Sequence, residues 1–204
     1  RLSHLPLPDS MFDYLDEKGM LVFSEIPLWG FHQLVDKDNP VPKEWLRRLV
    51  DNYFNHPSII GWSVGNEIGD APGVMEYVED AIKYVKNIDT TRFGVMVSHT
   101  ATRPKDPIQY SDIALVNKYG TGIGSLADRM HRLHPDKILF YSEYGYGQLN
   151  EHLDADVDAK GMIDSIRFKP FLIGGALWTF NDYRSNFYGT KEYSENRPWG
   201  IVDV

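Results

Sequence analysis

Two glutamates, Glu67 and Glu143, each stand at the end of a short apolar run. Ile59-Ile60-Gly61-Trp62-Ser63-Val64 leads into Gly65-Asn66-Glu67, and the run from Ile138 to Tyr141 leads into Ser142-Glu143. A carboxylate at such a place is costly to bury unless polar partners surround it. Two carboxyls facing each other are what acetal hydrolysis needs. One protonates the leaving oxygen, and the other attacks the anomeric carbon or activates water. Asn66 adds an amide that can bind a substrate hydroxyl. Taken alone, Asn-Glu is a common dipeptide and would serve equally as a loop residue or a helix cap after Gly69. The weight comes from finding Glu at the end of both runs.

The runs that would position these groups recur along the chain. Leu21-Val22-Phe23 leads into Ser24-Glu25, Phe93 to Val97 into Ser98-His99, Ile113 to Val116 into Asn117-Lys118-Tyr119, and Phe171 to Leu177 into Trp178-Thr179-Phe180. They are too short for helices and lack polar alternation, which is the character of buried parallel strands. Between them lie amphipathic stretches. One runs from a capping Asp9 through Phe12 and Leu15 to a stop at Gly19. Others are Lys43 to Phe54, Val74 to Val85, a stretch capped by Ser125 through Leu133, and Asp158 to Phe168. Six strands are counted this way, with a seventh ending at Arg1-Leu2-Ser3-His4. Strand–helix alternation with ionisable residues just after the strands predicts an α/β fold, a (β/α)8 TIM barrel whose chemistry lies at the C-terminal strand ends. A doubly wound sheet should carry a Gly-rich phosphate turn after its first strand, and none is present. With its first strand and last helix missing, the barrel is expected to be incomplete. The whole chain, 1–204, is expected to be one catalytic barrel domain truncated at both ends. Counted within that barrel, Glu67 ends the fourth strand and Glu143 the seventh, on opposite walls of the mouth.

Composition narrows the function further. The formal net charge is −8 and no Lys/Arg-rich run occurs, which argues against nucleic acid or an anionic membrane as partner. Cysteine is absent, so disulfides and Cys-ligated metals are excluded. No apolar stretch approaches the length needed to span a bilayer. The chain begins with Arg1 rather than Met, so localisation is not readable. The 5 Trp, 12 Tyr and 10 Phe would fill a core, and some would stack on the apolar faces of sugar rings.

Arg1-Leu2-Ser3-His4-Leu5-Pro6, Gly65-Asn66-Glu67 and Ser142-Glu143-Tyr144-Gly145, in that order, resemble family 2 glycoside hydrolases, the family of β-galactosidases, β-glucuronidases and β-mannosidases. Asp16-Glu17-Lys18-Gly19 before the Leu21 run, Trp178 to Arg184, and Trp199-Gly200-Ile201-Val202-Asp203 resemble the same family. The resemblance implies Glu67 as general acid/base and Glu143 as nucleophile of a retaining double displacement. That chemistry needs the two carboxyls about 5–5.5 Å apart. It implies Asn66 holding the sugar 2-hydroxyl, His4 contacting substrate, and Arg1 as a cation close to Glu143. Tyr119 is implied as a hydrogen-bond donor to the nucleophile and Trp178 as the aromatic floor. The resemblance also implies β-sandwich domains elsewhere in the parent protein, and oligomerisation. No nicotinamide, flavin or metal is required, and no ligand cluster for one stands out.

Several roles stay open at this stage. His4 would also cap the following helix, Trp178 would also serve as ordinary core, and Asp182 with Arg184 reads as a structural ion pair. Glu25 would either touch substrate or pair with Arg1. Trp29 would line an outer subsite. β-Glucuronidases of this family carry Asn-x-Lys after the eighth strand, where this chain reads Asn196-Arg197-Pro198. The expected substrate is therefore a neutral β-sugar, galactose first. Rival expectations are an endo-acting barrel glycosidase with an open groove, a silent carbohydrate-binding or scaffold fragment, and a metal-dependent barrel hydrolase. His4 and His99 are too few for the last.

Overall fold

The computed structural model describes residues 1–145, 159–181, 183 and 200. Each apolar run becomes a strand: β1 (Val22–Glu25), β2 (Ile59–Asn66), β3 (Phe93–Ser98), β4 (Ala114–Tyr119), β5 (Leu139–Gly145) and β6 (Leu172–Leu177). All neighbours are parallel and follow chain order without reversal. A doubly wound sheet would reverse its order midway. The expected seventh strand at residues 1–4 is not one. Leu2 N–H reaches Phe23 O at 3.1 Å beside β1, but no ladder follows.

Among the described residues five α-helices alternate with the strands: α1 (Asp9–Lys18), α2 (Pro40–Tyr53), α3 (Val74–Ile88), α4 (Ile123–Leu133) and α5 (Ala159–Phe168). Their stops and starts follow local chemistry. Gly19, at φ 66°, closes α1 in the left-handed conformation that glycine adopts without strain. Asn39 accepts Val41 N–H at 3.0 Å to cap α2, with Pro40 at its first position. Two expected caps are corrected. Asp9 is already inside α1, whose N-cap is Pro8, and Ser125 lies inside α4, whose N-cap is Gly122. Ser125 donates back to Gly122 O at 2.9 Å instead.

The sheet has two differently packed faces. Outward, Trp62 and Met96 join Leu46, Leu49, Val78, Ile82 and Val85 of α2 and α3 in one apolar cluster. Inward, Phe23, Val95, Val97, Ile113 and Leu115 form a second cluster, with Ile60 and Phe140 against it. Val95 and Val97 point inward while Met96 between them points outward, the two-residue period of a strand. The rings of Phe23 on β1 and Phe140 on β5 lie 5.9 Å apart. In a flat sheet four strand spacings would separate them by about 19 Å. The sheet therefore curls into the arc of a TIM barrel. Among the described residues β1 and β6 do not pair, so the arc is not closed.

The N-terminal ends of the strands are tied by one polar hub. Asp89, just after α3, accepts from Trp62 Nε1 at 2.8 Å, from Thr91 N and Oγ1 at 2.8 and 2.6 Å, and from Arg92 Nη1 at 2.8 Å. Arg92 also donates to the carbonyls of Phe54, His56 and Ile59 at 2.6, 3.0 and 2.7 Å. Burial pushes the Asp89 carboxyl up, but these donors outweigh it and hold it at about 2. Among the described residues no helix is long and apolar enough to cross a membrane.

Candidate active site

At the opposite, C-terminal ends of the strands, β1, β2, β4 and β5 each deliver polar side chains that alternation turns to the concave face. Glu25 closes β1, Asn66 closes β2 just before Glu67, Asn117 and Tyr119 share one face of β4, and Glu143 stands on β5. Asn117 and Glu143 are register partners. Glu25, Asn66, Asn117, Ser142 and Glu143 are all buried. Their hydrogen bonds therefore have to be made with one another or with a bound molecule.

Arg1 is the centre of this network. Its Nη2 donates to both oxygens of Glu25 at 2.9 and 3.0 Å and to Asn66 Oδ1 at 2.9 Å, while Nη1 donates to Glu143 Oε1. Tyr119 OH donates to the other oxygen of Glu143. Ser63 Oγ completes Glu25 from β2 at 2.8 Å. Burial alone would raise the Glu25 carboxyl. The charge of Arg1, with His4 and Ser63, outweighs burial and holds it below the ordinary range. Tyr119 is pushed the other way, by burial and then by the negative charge of Glu143, so it remains a protonated donor. The open question over Glu25 is thereby answered: it pairs with Arg1.

Glu67 belongs to the same network through neutral partners. Asn117 Nδ2 donates to its Oε1 at 2.9 Å and to Asn66 Oδ1 at 3.2 Å, and Trp29 Nε1 lies 3.4 Å from its Oε2. Glu67 N–H is held by Val97 O at 2.9 Å, across to β3. At φ 52°, Glu67 is the single non-glycine among the described residues in the left-handed region. Such strain persists only where surrounding contacts hold it, and it clusters at functional sites.

Aromatic rings form one wall. His4 stacks on Trp29 with centroids 4.8 Å apart, and the Trp178 ring lies 5.8 Å from His4, tilted by 36°. Trp178 Nε1 donates to Tyr183 OH at 3.2 Å. His4 does not cap α1, because its Nδ1 lies 3.1 Å from Glu25 Oε1. Trp178 is half-buried beside the polar network and belongs to neither the outward nor the inward cluster. His99 is apart from these groups, in an exposed cluster with Asp70 and Arg103.

The structure thus brings Arg1, His4, Asn66, Glu67, Tyr119, Glu143 and Trp178 into one connected site. Asn117, Ser142 and Ser63 were not anticipated. A signal for Asn117 existed: it stands two residues before Tyr119 on one strand, hence on the same face. Asp182, Arg184 and Asn196-Arg197-Pro198 lie outside the described residues, as does most of 199–203.

Comparison with known proteins identifies the family. The β-glucuronidase of Bacteroides fragilis is 30% identical over 165 residues, covering 72% of this chain and 23% of its own length. That of Streptococcus agalactiae is 26% identical over 232 residues, covering 91% of this chain and 38% of its own. The solved structure of a family 2 β-galacturonidase from Eisenbergiella tayi superimposes on the whole chain with a TM-score of 0.79 at 20% identity, and the match takes in 41% of that structure. The chain therefore spans roughly a quarter to two fifths of these relatives. Over residues 1–191 it matches the model of the glycosyl hydrolases family 2 TIM barrel domain, and to that family it belongs.

Proposed function

We propose that this barrel carries the catalytic centre of a retaining β-glycosidase that cuts terminal β-glycosidic bonds by double displacement. The observation that supports it best is the contrast between the partners of two carboxylates in one network. Glu143 faces a buried cation and a phenol, so its negative charge is compensated where a nucleophile must keep it. Glu67 faces an amide and an indole, groups compatible with a carboxyl that carries a proton and gives it away. In this reading Glu143 attacks the anomeric carbon while Glu67 protonates the departing oxygen. Water then hydrolyses the glycosyl-enzyme, with Glu67 acting as base. Asn66 Nδ2 is buried and has no partner among the described residues, and it would bind the sugar 2-hydroxyl. His4, Trp29 and Trp178 would hold the ring.

The sugar follows from the stretch Asn196-Arg197-Pro198, which lacks the lysine that would bind a uronate. A neutral galactoside is therefore the first candidate. The relatives named β-glucuronidase and β-galacturonidase favour a uronide as the second. Further domains of the protein, β-sandwiches by resemblance, and its oligomeric state belong to the same proposal. A panel of aryl β-glycosides, with galactoside and glucuronide as the decisive pair, identifies the sugar. On the best substrate, Glu143→Gln should abolish turnover and Glu67→Ala should keep activity toward activated leaving groups, which need no proton. Turnover by Glu143→Gln at the unmutated level would overturn the reading.

A further inference from the structure

The orientation of every amide in the site follows from one residue. A guanidinium has donors only. The Asn66 atom 2.9 Å from Arg1 Nη2 must therefore be its oxygen. That oxygen also lies 3.2 Å from the Asn117 amide, so the Asn117 atom facing it must be nitrogen. The same nitrogen meets Glu67 Oε1 at 2.9 Å, an acceptor as required. The other end of the Asn117 amide is then oxygen, and Ser142 Oγ donates to it at 2.7 Å. No alternative assignment satisfies all four contacts. Asn117 is 6% exposed and Ser142 2%, so water does not compete for these groups.

Two consequences follow for Glu67 and Asn66. Oε1 takes the close donor, Asn117 Nδ2 at 2.9 Å, whereas Oε2 meets Trp29 Nε1 only at 3.4 Å, so a proton on the Glu67 carboxyl is favoured on Oε2. With Oδ1 of Asn66 held from two sides, its Nδ2 is left without a partner among the described residues. We infer that Asn117 is a positioning residue, held by Ser142, which keeps the transferable proton of Glu67 on Oε2 and turns the Asn66 amide toward the substrate. This inference rests on the assignment of Glu67 as acid/base. Asn117 touches no reacting atom itself, and its influence is exerted where a leaving group needs that proton.

The test uses the full-length protein and a series of aryl β-glycosides of its preferred sugar, from 2,4-dinitrophenyl to phenyl. Asn117→Asp keeps the side-chain shape and removes the donor, and Asn117→Ala removes both ends of the amide. Both should lower kcat for phenyl glycosides by about 10²–10³-fold, the lower part of the span typical of proton-transfer catalysis. For the dinitrophenyl glycoside the loss should stay within about tenfold, leaving a steeper leaving-group dependence. Ser142→Ala, a milder change, should show the same tilt at lower amplitude and covers the case in which Asn117 variants do not fold. A uniform loss across all leaving groups, or none, overturns the role of Asn117. Glu67→Ala run in parallel separates the two layers. If it shows the steep dependence and the Asn117 and Ser142 variants do not, only this inference falls. If Glu67→Ala lacks it, or if no aryl β-glycoside is turned over, the acid/base reading falls and this inference with it.

Discussion

The Nη2 of Arg1 lies 2.9 and 3.0 Å from the two carboxylate oxygens of Glu25, and neither side chain is more than 2% exposed. Removing one member of a buried pair strands the other, which typically costs about 3–5 kcal/mol. Glu25→Ala should therefore destabilise the fold in urea denaturation, by less than that full amount because Arg1 keeps Glu143 and Asn66. Glu25→Gln, which keeps the shape and one acceptor, should cost less. Activity should fall in both variants, because Arg1 loses its anchor while still bonded to Glu143. Unchanged stability of Glu25→Ala would mean that the pair is not held in solution.

Acid should weaken the protein through the same residue and through Asp89. Each has a folded-state pKa below its unfolded value, Glu25 from 4.5 downward and Asp89 from 3.8 to about 2. A group shifted down adds stability above its unfolded pKa and loses it as the pH falls toward the folded one. Melting temperatures should be flat near neutrality and drop from about pH 4.5 to about pH 2. Asp89→Asn should flatten that drop, with a contribution on the order of 2 kcal/mol. A melting curve equally steep in the variant would remove Asp89 from the account.

Tyr119 donates to Glu143, and its proton is secured by burial and the neighbouring charge. A hydrogen bond to a charged group contributes about 1.5–3 kcal/mol. Tyr119→Phe should accordingly lower kcat/KM by roughly 10- to 150-fold with little change in melting temperature. Full activity in Tyr119→Phe would show that the phenol does not serve the nucleophile.

The left-handed φ of Glu67 makes its own prediction, independent of the chemistry. In ordinary helix or strand positions glycine is less stable than alanine by about 0.5–1 kcal/mol. At a left-handed position the order reverses, because the Cβ costs roughly 1–2 kcal/mol there. Glu67→Gly should therefore be more stable than Glu67→Ala, although both lack the carboxylate. Chemical denaturation of the pair settles it, and the usual order would count against strain at this residue.

Much of this was legible from the chain because apolar runs mark buried parallel strands and the working groups follow them. The strands nevertheless extend past their apolar runs. Asn66, Ser98, Lys118, Tyr119 and Ser142 to Gly145 are still strand residues, because backbone pairing is indifferent to side-chain polarity whereas the hydrophobic pattern stops where the site begins. Asp9 and Ser125 misled for a related reason. They have good capping chemistry, but the chain turns at Pro8 and Gly122, whose backbones suit the entry. The partner of Glu25 was beyond reach, since the choice between Arg1 and a substrate depends on how far the sheet curls. Ser142 was hidden similarly: its hydroxyl matters only through Asn117 on the neighbouring strand.

The knot of Asp89 and Arg92 has a consequence of its own. It gathers the carbonyls of Phe54, His56 and Ile59, the indole of Trp62 and the end of α3 at the base of β2 and β3. The proposed chemistry occupies the other tip of those same strands. This floor shares no side chain with the network of Arg1 and Glu25, so an engineer could harden it without retouching the mouth of the barrel.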